Sequence, residues 1–204
     1  MARRSDHSRD ELKEMILKAS WDIVEKDGFI GLTARRIAKD IGYAPGTIYN
    51  IFKSMDDLCV EINGMTLDKL HDVLSKSDCY SPKKSPVQNM KRMAQLYREF
   101  AREYRAHWLM LFTHALPEGQ KAPAWYQEKI ARLFESLEGL LEPFYTARQL
   151  PKRKMAARAL WAAVHGICLL EETGKIPAID DQESPPDMTG YLIENFIAGI
   201  KKKT

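Results

Sequence analysis

The residues best suited to chemistry lie in one short stretch, "TARRIAKDIGYAPGTIYNIFK", residues 33–53. Asn50 can donate and accept hydrogen bonds together, which suits the edge of a base, adenine above all. Tyr49 and Lys53 have the reach and polarity for phosphate oxygens. Thr47 offers a hydroxyl and a methyl, and Gly46 has no side chain to keep a ligand away. Thr33 stands where a helix would begin, a position that favours an anion. Arg35, Arg36, Lys39 and Lys53 face only Asp40 in this stretch, a net +3 that equals the +3 of the whole chain. A charge run is usually a solvated face. Tyr49 could instead pack on the first helix, and Asn50 could bond locally. Arg3, Arg4 and Arg9 add positive charge ahead of the first helix, and Arg3 and Arg4 could be a tail or a minor-groove arm.

This is the chemistry of recognition rather than of bond-making. The chain holds no GxSxG, P-loop, dinucleotide fingerprint, HExxH or paired catalytic carboxylates, so an enzyme is not expected. Cys59, Cys79 and Cys168 are far apart and lack metal-ligand spacing, so no metal and no cofactor is expected. They read as free thiols, with Cys79, in a polar stretch, the exposed one. The start, "MARRSDHSRDELKEM", has no apolar run of the kind that leads secretion. No stretch reaches the roughly 18–20 apolar residues of a membrane span. A cytoplasmic protein without a membrane partner is expected.

The elements that must position these residues are helices. Strand patterns are nearly absent, and the helical period recurs throughout. Leu12, Met15, Ile16, Ala19, Ile23 and Val24 share a face, and Gly28 stops that helix. Thr33 caps a brief second helix with Ala34, Ile37, Ala38 and Ile41 inward, and Gly42 ends it. Pro45 fits the first turn of a third helix, with Ala44 as cap and Ile48, Ile51 and Phe52 inward. Ser54 and Asp57 make a capping-box pattern for a fourth helix running to about residue 74. Five more are expected at about 87–104, 108–115, 124–145, 152–173 and 188–200. The fold class is all-α with about nine helices: a three-helix head at 1–53 containing a helix–turn–helix, and a larger helical domain at 54–204. A short helix, a tight turn and an immediate restart expose the first part of the third helix, which can enter a DNA major groove.

The 33–53 stretch, with Gly28–Phe29 before it and Ser54–Leu58 after it, closely resembles the DNA-binding domain of the TetR family of transcriptional regulators. The resemblance implies an all-helical homodimer that binds a palindromic double-stranded DNA operator and usually represses. It carries DNA contact onto Thr33, Arg36, Tyr43, Ala44, Pro45, Thr47, Tyr49, Asn50 and Lys53. Ile51 departs from the family, which often has an aromatic residue or histidine there, and this makes the operator sequence unreadable.

The other helices must supply dimerisation and sensing. The resemblance points to the last two helices as the dimer interface. Leu160, Trp161, Val164, Ile167 and Cys168 form one stripe there, and Leu192, Ile193, Phe196, Ile197 and Ile200 another. The alternative is that both stripes face their own core. Trp161 and His165 lie one turn apart in a Trp-x3-His-Gly pattern resembling one C-terminal domain type of the family. Gly166 would permit close helix approach. Large adaptable side chains suggest a cavity for an apolar or aromatic small molecule, lined by Met93, Tyr97, Phe100, His107, Trp108, Phe112, Trp125, Phe134 and His165. His107, His114 and Glu171 are candidate polar anchors. The function expected is a ligand-responsive repressor. The alternative is a DNA-binding adaptor whose body holds a protein partner and no small ligand.

Overall fold

The computed structural model describes residues 7–75, 78–176 and 187–201. Among them are nine α-helices and no strand. The helices are α1 (Arg9–Asp27), α2 (Ala34–Ile41), α3 (Gly46–Ile51), α4 (Met55–Ser75), α5 (Pro86–Glu103), α6 (Arg105–Thr113), α7 (Ala124–Leu141), α8 (Leu150–Glu172) and α9 (Met188–Lys201). They divide into two compact units: Met1–Asp68 with Tyr104–Tyr126, and Lys69–Glu103 with Gln127–Thr204. The Arg3 and Arg4 arm lies outside the described residues.

The first unit is built on α1. Ser8 caps it through a reciprocal pair of bonds with Glu11. Ile16, Ile23 and Val24 from α1, Ile37 and Ala38 from α2, Ile48 from α3, Leu58 and Ile62 from α4, and Met110 from α6 close one core. The sixth helix thus packs with the head, although it follows α4 by some thirty residues of chain. The sequence expects a gap before α6. Instead Tyr104 alone breaks the path between α5 and α6, at φ −105° and ψ 37°. α7 ends at Leu141, earlier than its apolar pattern suggests, and a 3-10 turn Glu142–Phe144 follows. The reason is Pro143, which has no N–H to donate and whose ring crowds the preceding turn.

The second unit is centred on α5, whose Met90, Met93, Tyr97 and Phe100 are buried. Leu160, Val164 and Cys168 of α8 and Ile193 and Ile197 of α9 are buried in the same unit. Arg98 binds both carboxylate oxygens of Glu171, at 2.9 and 2.6 Å, and so ties α5 to α8. Burial works against the Arg98 charge, but bonding to Glu171 outweighs it and raises the pKa.

Cys79 is not the exposed thiol that its polar stretch suggests. Its side chain is fully buried in the 3-10 turn Asp78–Tyr80, which packs against α5. Its neighbour in that turn, Tyr80, is exposed. Burial, aided by Asp56 and by Glu171 respectively, pushes the Cys59 and Cys168 thiols up to about 12, so neither forms a thiolate near neutrality.

Candidate nucleic-acid interface

The helix–turn–helix forms because each of its boundaries is chemically marked. Thr33 accepts a hydrogen bond from the Arg36 amide at 3.2 Å and opens α2. Gly42 ends it in the left-handed region, φ 74° and ψ 28°, where a side chain would be strained. The Tyr43 amide then bonds back to the Ala38 carbonyl at 2.8 Å. Pro45 already has helical dihedrals and stands just ahead of α3, so the helix starts one residue later than the sequence suggests. The Thr47 amide bonds to the Ala44 carbonyl at 2.9 Å, leaving Ala44 as the effective first acceptor.

Ile48 at 0% and Phe52 at 5% exposure hold the inner side of α3. The outer side carries Ala44, Pro45, Tyr49, Asn50 and Lys53, all exposed, with Thr47 half-buried beside them. Tyr49 is 52% exposed and so does not pack into the core. Thr33 is also exposed, and its hydroxyl hydrogen remains available while its oxygen caps α2. Two expected contacts are partly engaged within the protein. Arg36 pairs with Asp40 at 3.1 Å and Asp27 at 3.4 Å. Tyr43 is half-buried and shares a hydrogen bond with the His7 ring at 2.7 Å.

Sequence reasoning missed one arrangement. The Arg9 guanidinium donates to the Asn50 carbonyl at 3.3 Å and the Ile51 carbonyl at 3.5 Å, at the C-terminal end of α3. The Arg36–Asp40 pair lies at i,i+4 on α2, a local spacing. Arg9 and Asn50 stand 41 positions apart, and no local signal connects them.

Residues 16–62 match the family model "Bacterial regulatory proteins, tetR family", and residues 90–189 match "Tetracyclin repressor-like, C-terminal domain". The chain belongs to the TetR family. An uncharacterised HTH-type transcriptional regulator of Mycobacterium tuberculosis is 24% identical over 198 residues, 94% of this chain and 83% of that one. A transcriptional regulator from Rhodococcus shares the fold with a TM-score of 0.62 at 21% identity, over 94% of this chain and 96% of that one. FadR of Bacillus subtilis, solved in complex with stearoyl-CoA, shares it with a TM-score of 0.57 at 13% identity, over 92% and 96%. This TetR-family chain is therefore a DNA-binding transcriptional regulator. No helix among its described residues is long and apolar enough to cross a membrane.

The nine residues expected around a ligand divide between the two units. His107, Trp108, Phe112 and Trp125 belong to the first, and Met93, Tyr97, Phe100, Phe134 and His165 to the second. His107 is core: its ring stacks on Trp21 at 3.7 Å between centroids, and it bonds the Trp21 carbonyl at 3.1 Å. Trp108 is fully buried, whereas Phe112 is 42% exposed. Trp125 lines a groove of about 480 Å³ with Lys13, Phe52 and Glu61. In the second unit, Phe134, Trp161 and His165 form a half-buried aromatic row. Tyr97 closes it with a 2.9 Å hydrogen bond to His165 Nδ1. The other proposed anchors have protein partners: His114 meets Asp56 at 3.0 Å, and Glu171 meets Arg98.

Burial lowers the His165 pKa below its usual value. Acidification below about 6.5 then protonates the unfolded chain first, so His165 contributes stability above that pH and loses it as pH falls through the folded value. His165→Gln is expected to flatten the fall in melting temperature between pH 7 and pH 5 relative to wild type. Parallel curves for the two proteins would remove His165 from that acid sensitivity.

Proposed function

We propose that this regulator is a homodimeric repressor that reads a palindromic operator through α3 and releases it when an apolar or aromatic small molecule binds the second unit. The observation that carries the reading is the pose of α3: Ile48 and Phe52 are locked inward while Tyr49, Asn50 and Lys53 face solvent. For the ligand, the support is the half-buried row of Phe134, Trp161 and His165, aromatic surface with one polar handle. A Bacillus subtilis regulator of the same fold was solved with stearoyl-CoA, a ligand with a long apolar chain.

For pairing, the protomer itself narrows the choice. Leu160, Val164, Cys168, Ile193 and Ile197 are buried within it and have no surface left for a second copy. Trp161, Ile167, Leu192, Phe196 and Ile200 are half-buried. Along α8, Met155, Ala159, Ala162, Gly166 and Leu169 recur at four- and three-residue steps and lie at or near the surface, with Met155 at 72%. Tyr191 of α9 is also 72% exposed. A methyl group added at Gly166 or Gly199 would meet nothing within 4 Å inside the protomer. This exposed face supports pairing through a four-helix arrangement of two α8–α9 pairs. A dimer would set its two reading helices about 34–36 Å apart, one turn of DNA.

Selection of bound sequences from random DNA, repeated at rising salt, tests the reading. An enriched palindrome supports it. Featureless binding that vanishes with salt would leave only phosphate attraction by a basic head. Within the enriched site, Asn50→Ala is expected to relax discrimination at one base pair by about 1–3 kcal/mol. Lys53→Ala is expected to weaken binding to all sequences alike and to reduce the salt slope by about 0.9 per subunit. Competition binding against single-base variants of the site separates the two effects.

A further inference from the structure

We propose that the start of α1 is a two-point brace for α3, and that Arg9 is a positioning residue for operator specificity rather than an electrostatic anchor. The proposal rests on α3 being the base-reading helix. α3 has six residues, too few to keep a helical shape unaided. Ile48 and Phe52 fix its inner side, but its last carbonyls have no continuing helix to bond. Arg9 supplies donors to two of them, Asn50 O and Ile51 O. A cation is favoured at this end of a helix, and the planar guanidinium can span adjacent carbonyls as an ammonium cannot.

At the other end, the His7 ring shares a 2.7 Å hydrogen bond with the Tyr43 hydroxyl, in the turn just ahead of α3. Ser8, between His7 and Arg9, is held by its capping box with Glu11, so the backbone carrying both contacts is itself fixed. The brace therefore grips the reading helix just before its first turn and at its last. The two Arg9 contacts, at 3.3 and 3.5 Å, are long for bonds from a charged donor, so their effect lies in orientation more than in stability. Asn50, whose side chain is the candidate base reader, is one of the residues whose carbonyl Arg9 holds. A small rotation there misaligns the short Asn50 amide, while the long flexible side chain of Lys53 can still reach a phosphate.

The test compares full-length wild type with Arg9→Lys and Arg9→Gln, on the selected operator and on a scrambled duplex of equal length, at several salt concentrations. Arg9→Lys is expected to cut the operator-to-scrambled affinity ratio about tenfold, with scrambled affinity and salt slope unchanged. If Arg9→Lys keeps the ratio while Arg9→Gln weakens both DNAs equally and lowers the slope, Arg9 is a phosphate contact and the proposal fails. Wild-type ratios in both variants also overturn it.

Amide hydrogen exchange on the free protein is a second readout, one that needs no operator. Either Arg9 variant, and Tyr43→Phe at the other end, should speed exchange at the Ile48 and Phe52 amides severalfold and leave residues 16–24 of α1 unchanged. Unaltered exchange in α3 refutes the brace even if wild type itself shows no operator preference, an outcome that would sink the functional reading separately.

Discussion

Ile48→Ala is expected to destabilise the DNA-binding unit by about 2–4 kcal/mol and to abolish operator preference before it abolishes folding. Ile48 is fully buried at the centre of a core that also holds Ile16, Ile37, Leu58 and Met110. Truncation removes apolar contact on the inner face of a six-residue helix. α1 and α4 have several other buried side chains and keep their places, whereas α3 is left with Phe52 and the half-buried Ile51 as apolar anchors. Thermal or denaturant unfolding gives the stability loss. Operator and scrambled-duplex titrations, made well below the melting temperature, give the functional loss. A variant that is destabilised yet retains the wild-type operator-to-scrambled ratio would show that α3 is held in its reading pose by something other than this contact. Ile48→Val, which removes one methylene, should fall between the two, at about 0.5–1.5 kcal/mol.

Ala162→Asp is expected to convert a dimer into monomers. Ala162 is exposed in the protomer, so the substitution should leave folding of the single chain within about 0.5 kcal/mol of wild type. Placed in the middle of the Met155–Leu169 stripe, the new carboxylates of two copies would be buried without partners. At roughly 3–5 kcal/mol for each uncompensated buried charge, dimer dissociation rises by a factor on the order of 10²–10⁴ per carboxylate. Operator binding should fall with it, because a monomer engages one half-site and loses the linked second one. Sedimentation or light scattering across a concentration series reads the oligomer directly. A dimer as tight as wild type would place the pairing surface elsewhere. The same substitution at buried Val164 would instead unfold the second unit, which separates an interface position from a core position.

Much of the first unit was legible in the sequence. The breakers Gly28, Gly42 and Pro45 and the caps Thr33 and Ser54 act over a turn or two, so their spacing fixes the helix ends of the head to within a residue or so. The apolar periods of α1, α2 and α3 likewise include the buried Ile16, Ile23, Val24, Ile37, Ala38, Ile48 and Phe52, whereas Leu12, Met15, Ala19, Ile41 and Ile51 on the same faces are half-buried. Those signals are local, and local physics decides them: backbone dihedrals at glycine and proline, and hydrogen bonds that close within four residues. The family assignment followed from the same marks.

Tertiary structure decided what depends on which neighbour arrives from far along the chain. The sequence offered two apolar stripes on α8 and α9, but an apolar residue reads the same whether it meets its own core or a second copy. Burial within the protomer shows that Leu160, Val164 and Cys168 face inward and that Met155, Ala159 and Ala162 do not. Cys79 looked exposed because its neighbours are polar, yet one side of a 3-10 turn can be covered by a helix while the other stays wet. His107 looked like a ligand anchor until Trp21, 86 residues earlier, was found stacked on it. Arg9 was one basic residue among several until α3 folded back beside it. Periodicity tells a side chain which way to point along its own helix; only the packed fold determines what it points at.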